Sequence, residues 1–195
     1  MMNTAKGALI RCFVAVEIPE PIQALLKPVQ THLQSQIHKG TSWTKHGNFH
    51  LTLKFLGDVH PEAIHEVSEA LQRVTDTYAP FSIAFGGIGA FPNLARPRVI
   101  WLGIKQEAST VSRLAKAVNL ELRHLGFSTD HRFHPHLTLA RLRTATNLEP
   151  LKNILRKYDT IVGGSMRVNE IALMQSQLHP NGAIYTPLNV CQFSA

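Results

Sequence analysis

Asn48-Phe49-His50-Leu51-Thr52-Leu53-Lys54-Phe55-Leu56-Gly57 and Pro135-His136-Leu137-Thr138-Leu139-Ala140-Arg141 carry the same tetrapeptide, His-Leu-Thr-Leu, 136 − 50 = 86 residues apart. In each copy polar and apolar residues alternate, the pattern of a strand with one face buried. Residues two apart share a face, so Leu51 and Leu53 turn to a core while His50 and Thr52 turn away from it, and Leu137, Leu139, His136 and Thr138 repeat the arrangement. Composition does not account for the repetition. With 11 histidines in 195 residues, two bare His-x-Thr triplets are close to chance, whereas the full tetrapeptide is expected only roughly 0.01 times.

Working outward from the two copies, strand-like runs alternate with helical ones. Strands are expected over Arg11–Ile18, His50–Leu56, Phe81–Ile88, Val99–Ile104, His136–Leu142, Met166–Gln175 and Ala183–Phe193. Helices are expected over Glu20–Ile37, Pro61–Tyr78, Glu107–Leu125, which Gly126 ends, and Leu148–Tyr158. The order strand, helix, His-Leu-Thr-Leu strand, helix occurs around each histidine, which points to two similar lobes facing each other. No Gly/Ser linker or charge block divides residues 1–195, so a single bilobal domain is expected. Gly86–Pro97, rich in glycine and proline, is the best candidate for a loop or lobe boundary, and Gly86-Gly87 and Gly163-Gly164 read as turns.

The bulk numbers agree with a globular protein. The chain is 44% hydrophobic and 17% charged, and no segment approaches the ~20 apolar residues of a membrane span. The apolar stretch from Ala8 to Ile18 is interrupted by Arg11 and Glu17 and lacks a small-residue cleavage site, so a strand and a cytoplasmic protein are expected. Cys12 and Cys191, the two cysteines, sit in apolar runs near opposite ends and read as buried reduced thiols. Twenty Lys and Arg against thirteen Asp and Glu leave a net charge of +7, which attracts anions without naming one.

Two such strands side by side would line a cleft with two imidazoles and two hydroxyls. That set suits a phosphodiester: one histidine removes a proton from the nucleophile and the other gives one to the departing oxygen, while Thr52 and Thr138 bond the non-bridging oxygens. The near-symmetric motifs do not say which histidine is which.

These residues resemble the two-histidine (2H) phosphoesterases, marked by paired His-x-Thr-x motifs, and among them the bacterial and archaeal RNA 2′,3′-cyclic phosphodiesterases, also called 2′-5′ RNA ligases. The likeness runs along the chain through Arg11, Phe13, Ala15, Trp43, Gly89, Phe91, Pro92, Pro97-Arg98-Val99-Ile100-Trp101-Leu102-Gly103, Ser176, Leu178, Gly182 and Tyr185. It implies an α+β, bilobal fold with antiparallel sheets facing a central cleft and helices outside. The activity it implies is metal-independent hydrolysis of 2′,3′-cyclic phosphates to 2′-phosphates, with a related 2′-5′ joining of RNA halves. No cofactor is implied. The substrates would be RNA, tRNA fragments among them, or nucleoside 2′,3′-cyclic phosphates, and a monomer is expected. The resemblance makes His50 the proton donor and His136 the base, gives Arg141 a phosphate contact, and lets Phe55 stack on a base. Strict alternation puts Arg141 and Phe55 opposite the histidines, so either the strands twist or bulge before them or these two roles do not carry over.

Three rivals are weaker. A metal site could use His134 and His136 with Asp130 and His131 upstream, but it leaves the copy at His50 unexplained; His134 reads instead as facing solvent or supporting His136. A non-catalytic RNA-binding module would use the charge, through Arg96, Arg98, Arg132 and Arg143, and also leaves the duplicated histidines unexplained. A nucleophilic Cys12 or Cys191 has no adjacent base. Trp43 and Trp101, set among apolar neighbours, read as core.

Overall fold

The structure is a computed structural model that describes residues 8–37, 40–129, 132–143, 147–180 and 182–194. The first unit is strand β1 (Ile10–Glu17) followed by helix α1 (Glu20–Gln36). Ile22, Leu26, Val29 and Leu33 recur at helical spacing on α1 and are all buried. A short strand β2 (Thr41–Trp43) leads to β3 (His50–Val59), the first motif strand. After a 3₁₀ turn at Pro61–Ala63 come α2 (Ile64–Thr75), β4 (Phe81–Phe91), β5 (Val99–Gln106) and α3 (Ala108–Arg123). The second motif strand is β6 (His136–Leu142). A 3₁₀ turn, α4 (Lys152–Arg156), β7 (Ile161–Val168), β8 (Glu170–Gln177) and β9 (Ile184–Gln192) complete the chain.

The strands form two antiparallel sheets, one ordered β3-β1-β8-β9 and the other β2-β6-β5-β4-β7. Each sheet draws strands from both halves of the sequence. The helices cross over as well: α1 follows a strand of the first sheet but packs on β7 of the second, whereas α2 and α3 pack on each other and on β8, β9 and β3 of the first. The lobes are similar, as the repeat predicts, but each is built from both copies of it. One apolar core, including Leu26, Leu51, Leu53, Phe85, Leu102, Leu114, Leu137 and Leu139, runs beneath both sheets.

Three expectations need correction. Gly86–Pro97 is not one loop, because β4 continues through Gly86-Gly87 to Phe91. These glycines form a bulge in the strand, not a turn, with Gly87 at φ +76°. Gly163-Gly164 likewise lie within β7, with Gly164 at φ +72°. The run Met166–Gln175 is two strands in different sheets, parted at Asn169. Among the described residues no helix is long and apolar enough to cross a membrane. Cys12 and Cys191 are buried and unpaired, and burial, helped by Asp58, raises the Cys12 thiol to about 11.

Candidate active site

The two motif strands break alternation at the same place. In β3, Ala15 pairs with Thr52 and Val14 with Lys54, so Leu53 has no partner on β1. In β6, Trp101 pairs with Thr138 and Ile100 with Ala140, so Leu139 has none on β5. Each strand therefore turns two successive residues into the core, Leu53 with Lys54 and Leu139 with Ala140, and all four are buried. The extra residue shifts the alternation by one. Phe55 and Arg141, each five residues past its histidine, thus return to the histidine face, where both are exposed.

Both bulges are fastened from behind. The Leu139 carbonyl accepts from the Thr44 amide at 2.9 Å and from Gln30 Nε2 at 3.2 Å, and Thr44 Oγ1 donates to the Thr138 carbonyl at 2.7 Å. At the other bulge the buried Lys54 sends its ammonium to Asn119 Oδ1 on α3, 2.8 Å away, and to the Ser128 carbonyl. A buried cation is tolerated only with such partners.

The histidine rings are held alike. His50 Nδ1 donates to the Asn48 carbonyl at 2.9 Å and His136 Nδ1 to the His134 carbonyl at 2.6 Å, in both cases two residues back. A carbonyl only accepts, so Nδ1 carries the hydrogen in each ring and Nε2 is left to exchange a proton. Aromatic side chains wall each ring. Phe13 lies 4.8 Å from His50 and Tyr185 meets it edge-on at 4.9 Å; Phe91 meets His136 edge-on at 5.0 Å, with Trp101 at 6.4 Å. Thr52 and Thr138 are half-buried on the same faces.

Burial is the largest influence on both histidines and lowers their pKa below the usual 6.5, against an opposing contribution from the backbone carbonyls. The Arg141 charge lowers both as well, and the His136 charge lowers His50. The two imidazoles and the guanidinium therefore share one electrostatic environment, across the contact between β3 and β6.

A family model described as LigT like Phosphoesterase matches the chain twice in succession, over residues 16–101 and 102–185, one motif in each. The chain belongs to this family. It is 39% identical to the RNA 2′,3′-cyclic phosphodiesterase of Archaeoglobus fulgidus over 93% of its length and 99% of the relative's. It is 33% identical to the protein of that name from Methanothermobacter thermautotrophicus, over 93% and 97%. Among solved structures, a Thermus thermophilus protein superposes with a TM-score of 0.79 at 29% identity, covering 94% of this chain and 98% of its own. The E. coli LigT protein in complex with 3′-AMP gives 0.75 at 25% identity, covering 96% and 99%.

Within this LigT like phosphoesterase, Trp101 is not the core residue its neighbours suggest. It is half-buried in the wall beside His136, its indole lying flat over Gly89, where a Cβ would come within 2.2 Å of the ring. Trp43 does pack on the core. His134 is exposed, rests against Trp101 at 4.7 Å and supports His136 through its carbonyl. Phe13, Phe91 and Tyr185 belong to the residues that carry the family likeness, but sequence pattern gives them no role, because no local period brings β1, β4 and β9 to the motif strands. Among the described residues no group of three or more His, Cys, Asp or Glu is placed to hold a metal. Asp130 and His131, which the metal reading would need, lie outside the described residues.

Proposed function

We propose that this LigT like phosphoesterase hydrolyses RNA 2′,3′-cyclic phosphate ends to 2′-phosphates without a metal, with residues 1–195 acting as one catalytic unit. The observation that carries the reading is the matched pair of histidines, each with Nδ1–H bonded to a backbone carbonyl and each sensing the Arg141 charge. The names of relatives that are 30–40% identical support the substrate class.

The reaction needs two proton transfers. His136, neutral at Nε2, takes a proton from water as the water oxygen bonds phosphorus. The P–O3′ bond breaks, and His50, protonated at Nε2, gives its proton to O3′, leaving a 2′-phosphate and a 3′-hydroxyl. In this assignment Thr52 and Thr138 donate hydrogen bonds to the non-bridging oxygens and Arg141 offsets the charge that develops on them. Phe55 offers a face to the terminal base. An RNA hydroxyl in place of water gives the joining reaction through the same transfers. Because Nδ1–H stays bonded in both charge states of each ring, neither imidazole has to turn between accepting and giving a proton.

The test is incubation of purified, chelator-treated protein with adenosine 2′,3′-cyclic phosphate and identification of the product by phosphorus NMR. The expected product is the 2′-phosphate. His50→Ala and His136→Ala should each lower turnover by at least ~100-fold with the fold intact. The double variant should be only slightly worse than either single one, since the two act as a unit. A 3′-phosphate product, or an unaffected single variant, overturns the reading.

A further inference from the structure

Beyond the histidines, on the far side of Trp101, lies a recess of about 460 Å³. We propose that it seats a second nucleoside of an RNA strand, next to the one that bears the cyclic phosphate, so that the preferred substrate is a strand of at least two nucleotides. This deepens the function proposed above and rests on it.

Where it borders the recess the second sheet carries three glycines close together. Phe85 pairs with Ile104 and Ile88 with Leu102, so Gly86 and Gly87 together oppose Gly103. A Cβ on Gly86 would fall 2.0 Å from the Thr160 carbonyl oxygen, and one on Gly87 would fall 3.2 Å from Lys105 Cε, at a φ of +76° that disfavours any side chain. All three glycines line the recess, as does Ser109 from the first turn of α3. Irregularities of this kind gather beside binding sites.

The lining suits a nucleoside. Trp101 and His134 wall one side, and the volume falls within the range of small-molecule pockets. Lys105, also in the lining, offers a cation to a phosphodiester, and Asp159 offers an acceptor to a base or ribose. The position is right for a neighbouring nucleotide, since the same His134 that walls the recess holds the ring of His136 through its carbonyl. A base against aromatic rings binds with little regard to sequence, so the site would read chain length more than identity.

The experiment compares adenosine 2′,3′-cyclic phosphate with the dinucleotide ApA bearing a terminal 2′,3′-cyclic phosphate. Wild type should prefer the dinucleotide in kcat/KM by about tenfold or more, the scale of one stacked base. Ser109→Trp fills the recess from an exposed position on α3, and Lys105→Ala removes the cation from another exposed position, on β5. Each should bring the dinucleotide-to-mononucleotide ratio toward one. In a Trp43→Phe background, ApA without a cyclic phosphate should also quench the fluorescence of Trp101, a readout that needs no catalysis. Equal use of both substrates by wild type, no quenching of Trp101 by ApA, or a ratio unmoved by Ser109→Trp overturns the recess while leaving the proposed activity standing. Hydrolysis of neither substrate overturns the activity and the recess with it.

Discussion

Replacing Arg141 with glutamine tests the bulge and the chemistry together. Without the bulge at Leu139 the guanidinium would point away from the histidines; with it, its charge lowers the pKa of both. Two effects follow. In the proposed assignment a charge-assisted hydrogen bond to the phosphate is lost, which costs about 1.5–3 kcal/mol and lowers kcat/KM by roughly 10- to 150-fold. The second effect concerns pH. A nearby cation disfavours imidazolium, so removing it lets both histidines keep their protons to higher pH. Only the singly protonated pair is productive, hence both limbs of the kcat/KM profile move to higher pH. Burial, the larger cause, remains, so the move is partial. The loss should therefore be greatest on the acid side, where the variant pair becomes doubly charged, and smallest above neutrality, where wild type is largely uncharged. Wild type itself should show a bell-shaped kcat/KM whose optimum lies on the acid side of the ordinary histidine value, because both histidines are lowered. Its kcat profile should lie at higher pH, since bound phosphate favours imidazolium. The assay is steady-state hydrolysis of a cyclic mononucleotide between about pH 4.5 and 8.5, a span that brackets the ordinary histidine range, for wild type, Arg141→Gln and Arg141→Lys. The lysine variant keeps the charge but not the fork, so it should restore the wild-type profile with only part of the rate. A glutamine variant with an unmoved profile refutes the placement of Arg141 beside the histidines.

Exhaustive chelation should leave activity intact and elemental analysis should find no stoichiometric metal; a loss restored by added zinc would revive the metal reading. Binding of an RNA strand should weaken steeply with salt, as each neutralised phosphate releases counterions, and binding of a cyclic mononucleotide much less. Equal slopes would mean that the +7 charge does not serve RNA. Lys54→Met strips the Asn119 side chain and the Ser128 carbonyl of a buried donor, which costs about 1–3 kcal/mol. Chemical denaturation that detects no loss would show that this clamp contributes nothing to the fold.

The tetrapeptide repeat made the two strand faces and the paired lobes legible, because alternation is local and each copy contains its own buried leucines. The long helices were legible for the same reason: α1 begins at the expected Glu20 and stops one residue short of the expected Ile37. What stayed hidden depends on contacts between distant segments. Three-residue β2 carries too few residues for a period, yet Thr44 just beyond it holds the second motif by two hydrogen bonds. Asn169 separates two strands that read as one, since an apolar run does not reveal that its halves join different sheets. The bulges show most clearly where local reading stops. His50 to Leu53 and His136 to Leu139 obey strict alternation, and nothing within either tetrapeptide announces that the next residue will follow its neighbour into the core. Lys54 even argues against it, because a lysine is among the residues least often buried. Its burial becomes reasonable only once Asn119 on α3 and the Ser128 carbonyl are brought to it from 65 and 74 residues away. At Ala140, the matching position, the inward turn needs no partner. The same backbone device is thus met by a clamped cation in one lobe and a small apolar residue in the other. In both it delivers the residue five places after the histidine to the cleft: an aromatic face on one side and a guanidinium on the other. A cleft bounded by unlike groups can give a phosphodiester one orientation, with its base toward Phe55 and its charge toward Arg141, and that difference would let two nearly identical histidines take opposite roles.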